Sequence, residues 1–221
     1  MIEWSYLGDS CLTGSVGQDL DRRTCWSVLR IYGRIKEDPE LSRLGLLDVV
    51  PAYTSFALYF DPTEADIEGL QQRVEGLVRD LEARPEEELQ SLTGGAVQEI
   101  PVVYDGEDLD RIASVSGLST AGVVVLHTRP RYTVAMIGFL PHFPYLIGLD
   151  KRLATPRLSN PRTKVPAGAV AIGGEQTGIY PKESPGGWNI IGRTDPALLE
   201  KLRPGDTVVF REVPRLAEEG K

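Results

Sequence analysis

From Arg129 onward the chain reads almost entirely as short strands cut by proline and glycine, and this texture limits its fold more than any other feature. The β-rich runs are Tyr132 to Gly138, Ala169 to Gly173, Gly178 to Tyr180, Trp188 to Arg193 and Thr207 to Glu212, with Pro and Gly turns between them. Short strands at this spacing argue for a closed or nearly closed β structure, and few helices are expected beyond Arg129.

The first half has a different rhythm. Ile2 to Leu7 reads as a strand that meets a turn at Gly8-Asp9-Ser10. Between Asp19 and Ile35, Cys25, Val28, Leu29, Tyr32 and Ile35 recur at spacings of three and four, which places them on one helical face. Leu46 to Val50 and Ser55 to Phe60 are two further strands joined by a short connection. Thr63 with Asp66 reads as a capping box with a short acid, opening a helix whose apolar face is Ile67, Leu70, Val74, Leu77, Val78 and Leu81. After Arg84-Pro85 and an acidic run, Ala96 to Val103 returns as a strand. The order is βαββαβ, which predicts an α+β chain with an N-terminal ferredoxin-like layer. Short helices around Leu109 to Val115 and Ser119 to Leu126 then lead into the β-rich half. The expected division is an α/β domain over 1–98 and a β-barrel domain over 99–221.

Composition excludes several classes of function. No apolar run approaches the roughly 18 residues a membrane span needs, and the first residues lack a signal-peptide pattern, so a cytoplasmic location is expected. Cys11 and Cys25 lie in no CxxC or Cys/His cluster; buried thiols are expected, with no disulfide and no metal site. A net charge of -8 opposes nonspecific attraction to nucleic acid or anionic membranes. Against it runs a basic strip holding Lys151, Arg152, Arg157, Arg162 and Lys164, either a solvated loop or an anion-recognising surface.

None of the common catalytic signatures is present: no phosphate-binding GxxxxGK[ST] loop, no GxGxxG, no HExxH and no GxSxG elbow. His127 and His142 are the sole imidazoles. His142 sits in Gly138-Phe139-Leu140-Pro141-His142-Phe143-Pro144-Tyr145-Leu146, where two prolines fix a loop and Phe143 and Tyr145 can wall a pocket; a plain corner with His142 at its tip is the alternative. A second segment runs from Gly173 to Trp188. Gly173 and Gly174 permit close backbone approach, Gln176, Thr177 and Tyr180 supply polar groups, Lys182 adds charge, and Glu183 can serve as acid or base. Two hairpin turns with Trp188 in the core would give the same pattern. Ser184 has no evident His/Asp partner and reads as a hydrogen-bonding serine. Arg157 and Arg162 offer guanidinium forks suited to a carboxylate or phosphate.

Taken as blocks, GFLPHFPYLIGLD, RLATPR, PRTKVPAGAVAIGGEQTGIYP and ESPGGWNIIGRT resemble the signature segments of the KipI family. Upstream, GDS at Gly8 to Ser10, DVVPAYTSFALYFDP at Asp48 to Pro62 and EIPVVYDG at Glu99 to Gly106 are similar to the family's N-terminal blocks. The resemblance implies a C-terminal cyclophilin-like β-barrel behind a smaller α/β domain. It also implies a B-type subunit of an ATP-dependent 5-oxoprolinase, a lactam hydrolase inactive or weakly active alone. Such a subunit works with a KipA-like C-type subunit and an A-type, LamB/YcsF-like subunit to convert 5-oxoproline to L-glutamate. ATP with Mg is then the co-substrate. His127, His142 and Glu183 are the candidate catalytic groups; Phe143, Tyr145, Arg157, Arg162, Gly173, Gly174, Gln176, Thr177, Tyr180, Lys182, Ser184 and Trp188 are the candidate substrate or ATP contacts. Two other roles occur in the family, a regulator that inhibits a histidine kinase and an allophanate or urea-carboxylase subunit. The chain departs from the family pattern at His142, where the resemblance places glycine, and at Ile147, where it places a small residue.

Overall fold

Helix formation in the first half follows the apolar spacing closely. In the computed structural model, which describes residues 2–19, 21–84 and 95–216, α1 (Arg22–Glu37) buries Cys25, Val28, Leu29, Ile31 and Ile35. Asp21 caps it by accepting from the Thr24 amide at 2.7 Å. After a short α2 (Pro39–Arg43), a longer α3 (Ile67–Glu82) buries Leu70, Val74, Leu77, Val78 and Leu81. Its cap is Asp66, which accepts from Gly69 N at 2.9 Å. Thr63 does not cap the helix as expected, because its hydroxyl and amide both turn back to Asp61.

The strands beside these helices are β1 (Glu3–Tyr6), β2 (Cys11–Ser15), β3 (Leu46–Pro51) and β4 (Ser55–Phe60), in the antiparallel order β1-β2-β4-β3. Period-two alternation sends Phe56, Leu58 and Phe60 of β4 into one core with Leu12, Val28, Ile31, Leu70 and Val74. Both cysteines are buried free thiols, and burial pushes Cys25 up to about 12. These elements belong to one of two compact units, residues 1–94 and 95–221.

The βαββαβ order expected of the first half differs from this in two places. The segment before α1 makes two strands rather than one, and the strand read over Ala96 to Val103 leaves the sheet altogether. As β5 (Val97–Val102) it runs parallel to β13 (Thr207–Glu212), in register from Val97 opposite Thr207 to Val102 opposite Glu212. A local apolar run predicts a strand but carries no information about a partner 110 residues away.

The second unit continues with α4 (Leu109–Ser116), α5 (Thr120–Thr128), β6 (Tyr132–Ile137), β7 (Pro144–Ile147), β8 (Arg162–Val165), β9 (Ala169–Gly173), β10 (Gln176–Ile179), β11 (Ser184–Gly186) and β12 (Asn189–Arg193). Seven strands form one sheet in the order β12-β9-β10-β7-β6-β13-β5. Its two edges meet where Val103 and Arg193 exchange backbone hydrogen bonds at 3.0 and 2.9 Å, so the sheet curls into a nearly closed barrel. Strand β9 shows how the sequence divides its two faces. Val170 and Ile172 point into the barrel with Tyr132, Val134, Ile179, Ile191 and Phe210. The intervening Ala169 and Ala171 face outward into a second, smaller core with Phe143, Val165, Tyr180, Trp188 and Ile190. Large residues fill the barrel, while small ones on its outer face leave room for aromatic rings, covered by the β8–β11 pair.

Candidate functional site: an aromatic cleft on the outer face of the barrel

The β6–β7 connection is strained. Phe139 and His142 have φ of 67° and 66°, the left-handed region that disfavours residues with a Cβ. Three backbone bonds hold the loop in that shape: Gly138 N to Phe143 O, Leu140 N to Gly138 O and Phe143 N to Leu140 O. A glycine at 142, as in the KipI pattern, would adopt this φ freely; His142 holds it at a cost, with its ring in solvent. The loop's product is the placement of two rings. Phe143 is buried, and Phe139 stands 62% exposed above it, edge-on at 5.6 Å between centroids.

Phe143 is the hub of an aromatic cluster. Tyr180 and Trp188 meet it edge-to-face at 5.1 and 5.7 Å, and Tyr145 packs at 4.9 Å. The glycines nearby are there for space. A Cβ on Gly173 would lie 2.6 Å from the Trp188 ring, so β9 must end in glycine for the indole to seat against it.

Together these rings wall a cleft of about 310 Å³, completed by Leu158, Pro161, Pro185, Gly186 and Gly187. Its charged member is Arg157, whose guanidinium lies 5.7 Å from the centre of the Trp188 ring. Arg157 is exposed and in no ion pair among the described residues. Burial raises Tyr145 and Tyr180 above the usual phenol range, with Arg157 opposing the rise at both, so each keeps its proton at neutral pH. The cleft thus presents aromatic walls, hydroxyl donors and one unpaired guanidinium.

Five of the residues singled out from the sequence therefore converge: Phe143, Tyr145, Arg157, Tyr180 and Trp188. Three of the five cations in the basic strip are paired within the chain. Arg152 pairs with Asp150, Lys164 pairs with Glu183 at 3.2 Å, and Arg162 binds Glu107 and Asp108, each at 2.8 Å. Asp108 is buried and also accepts from Ile190 N at 2.7 Å, so Arg162 fastens β8 to the start of α4 and to β12. Lys182 and Glu183 are exposed, Gly173 and Gly174 serve the turn after β9, and Gln176 opens β10. Ser184 is buried with an unpartnered hydroxyl and does not line the cleft. Phe139, Leu158 and Pro161 line it without having been singled out, although Phe139 sits in the recognisable GFLPHFPY block.

His127 lies elsewhere, inside the barrel and fully buried. Its Nδ1 is 2.7 Å from Tyr104 Oη and its Nε2 is 3.0 Å from Thr177 Oγ1. Since the Thr177 hydroxyl donates its one proton to Ala171 O, it must accept from the histidine; the ring is then the neutral Nε2–H tautomer and Tyr104 donates to Nδ1. Its ring also stacks on Phe210 at 4.5 Å. Burial lowers its pKa to about 3. Inside the barrel, His127 and Thr177 tie α5 to strands β9 and β10 rather than meeting the cleft.

No group of three or more His, Cys, Asp and Glu side chains among the described residues is placed to hold a metal ion. No single helix among them is long and apolar enough to cross a membrane.

Comparison with known proteins returns the carboxyltransferase domain family. The model for the carboxyltransferase domain, subdomain C and D, matches residues 2–208. Two curated relatives carry the name of the 5-oxoprolinase B subunit. The one from Bacillus subtilis is 38% identical over 92% of this chain and 90% of its own length. The one from Haemophilus influenzae is 42% identical over 86% of each. The solved structure of TTHA0988 superposes with a TM-score of 0.76 at 37% identity, over 96% of this chain; this chain covers 40% of that longer one. The chain belongs to the carboxyltransferase subdomain C and D family, within the branch of the 5-oxoprolinase B subunits.

Proposed function

We propose that this chain is the B-type subunit of an ATP-dependent 5-oxoprolinase, which opens the lactam ring of 5-oxoproline to give L-glutamate together with a KipA-like C-type subunit and an A-type, LamB/YcsF-like subunit. The observation that carries the reading is the near end-to-end agreement with subunits of that name. Two further facts support a role shared with a partner. The cleft supplies binding surface but no buried acid or base, and in TTHA0988 the matching segment is part of a chain more than twice as long. Within the complex, the cleft is the candidate substrate site. His142 and Glu183, both exposed on unit 95–221, are available as proton carriers to a partner surface, whereas His127 supports the barrel.

The test is reconstitution. Co-expressed with its C-type and A-type partners, the chain is expected to give ATP hydrolysis that depends on 5-oxoproline and releases glutamate in equal amount, with little activity from the chain alone. A stable three-component complex whose ATP hydrolysis ignores 5-oxoproline would end this reading.

A further inference from the structure

The cleft's chemistry is unbalanced in an informative way. It carries one guanidinium, aromatic walls and no carboxylate, on a protein whose net charge is -8. An unpaired arginine over an indole face is suited to one carboxylate, held by two parallel N–H···O bonds while the rest of the ligand lies on the rings. The volume, about 310 Å³, is at the low end of the roughly 300–1,000 Å³ found for small-molecule sites.

A nucleoside triphosphate asks for a different surface. Its phosphates need several cations or a row of backbone amides at a helix N-terminus, and its metal needs carboxylates. None of these lines the cleft: Arg162 and Lys164 are occupied by carboxylates, and the lining residues come from strands and turns. Strain adds to the case for a ligand. Phe139 and His142 are the two non-glycine residues with positive φ among those described, and both lie in the loop that sets the cleft's aromatic rim.

We propose that the cleft reads a carboxylate: it takes a small planar ring bearing one carboxylate, with Arg157 as the clamp and Phe143, Tyr145 and Trp188 as walls, and it excludes the triphosphate. This rests on the reaction proposed above and deepens it, since it places the lactam on this subunit and leaves ATP to its partners. Arg157 then sets specificity.

Calorimetric titration of the full chain tests it with three probes: 5-oxoproline, the neutral lactam 2-pyrrolidone, and MgATP. Saturable binding of 5-oxoproline is expected, with 2-pyrrolidone weaker by about tenfold to a hundredfold, the worth of a charge-assisted contact. Arg157→Gln should weaken 5-oxoproline by a similar factor and leave 2-pyrrolidone unchanged; Arg157→Lys should fall between. MgATP should not displace 5-oxoproline. The proposal is overturned by absence of saturable 5-oxoproline binding, by equal affinity for the two lactams, by an Arg157→Gln variant that binds like the parent, or by competitive displacement with MgATP. A reconstituted complex without 5-oxoproline-dependent turnover, beside a chain that still binds the carboxylate, would instead strike the assigned reaction and leave the site standing.

Discussion

Acid should loosen the barrel through His127. In the folded chain the ring is neutral, fully buried and held between Tyr104 and Thr177, with a pKa lowered to about 3; released from the fold it returns to about 6.5. Protonation therefore favours the unfolded chain. The group costs nothing above pH 6.5, its penalty grows as pH falls below that value, and it levels off below about 3. At pH 5.0 the unfolded chain gains about 1.5 pH units of proton binding that the folded chain lacks, worth about 2 kcal/mol at 1.36 kcal/mol per unit. This figure depends little on how far below 5 the folded pKa lies. The assay is urea unfolding at pH 7.5 and 5.0, followed by Trp188 fluorescence in a background with Trp4→Phe and Trp26→Phe, so that the reporter lies in the barrel unit. His127→Gln loses stability at pH 7.5 through weakened contacts, but it has no proton to gain. The gap between parent and variant should therefore narrow by about 2 kcal/mol on going to pH 5.0. A gap that stays constant across the two pH values refutes the neutral, buried histidine.

Two other positions give sharp expectations. Arg162→Ala leaves Asp108 buried beside Ile190 without its cation, and about 2–4 kcal/mol of stability should be lost, read as a lower urea midpoint at unchanged slope. His142→Gly relieves the left-handed strain while freeing the unfolded chain, so stability should stay within about 1 kcal/mol of the parent, whereas the β-branched His142→Val should cost about 1–2 kcal/mol by the same measurement. Equal stability of the two variants would contradict the backbone reading of this loop.

What was legible in the sequence divides along physical lines. Helices α1 and α3 could be read because amphipathic spacing is local, and β13 came out at Thr207–Glu212 because turns bracket a β-branched run. Strand β5 was recognisable as a strand, but its assignment to the first sheet failed because pairing is decided by register with distant residues. The site follows the same rule. Aromatic and glycine-rich blocks pointed to Phe143, Tyr145, Tyr180 and Trp188 because such residues seldom cluster around turns without packing on one another. From the sequence Arg162 and His127 read as ligand contacts; the structure sets Arg162 against Asp108 and His127 against Tyr104, Thr177 and Phe210, partners too far along the chain for local pattern to reveal.

The two arginines of the basic strip thus perform different work, and the difference accounts for how an exposed cleft can be shaped in advance. Arg162 uses its charge internally: it holds Asp108 and reaches the Trp188 carbonyl at 3.5 Å, which fixes the strand that follows the Arg157 segment and the indole opposite. Leu158 N bonds Gly187 O at 2.7 Å, tying together the two backbone stretches that carry Arg157 and Trp188. With both anchors set by contacts that no ligand needs to make, Arg157 is the cation left to meet one. The ordering cost that a mobile loop would incur on binding is met during folding instead, so the guanidinium and the indole stand ready for a small anion whose few contacts could not organise them.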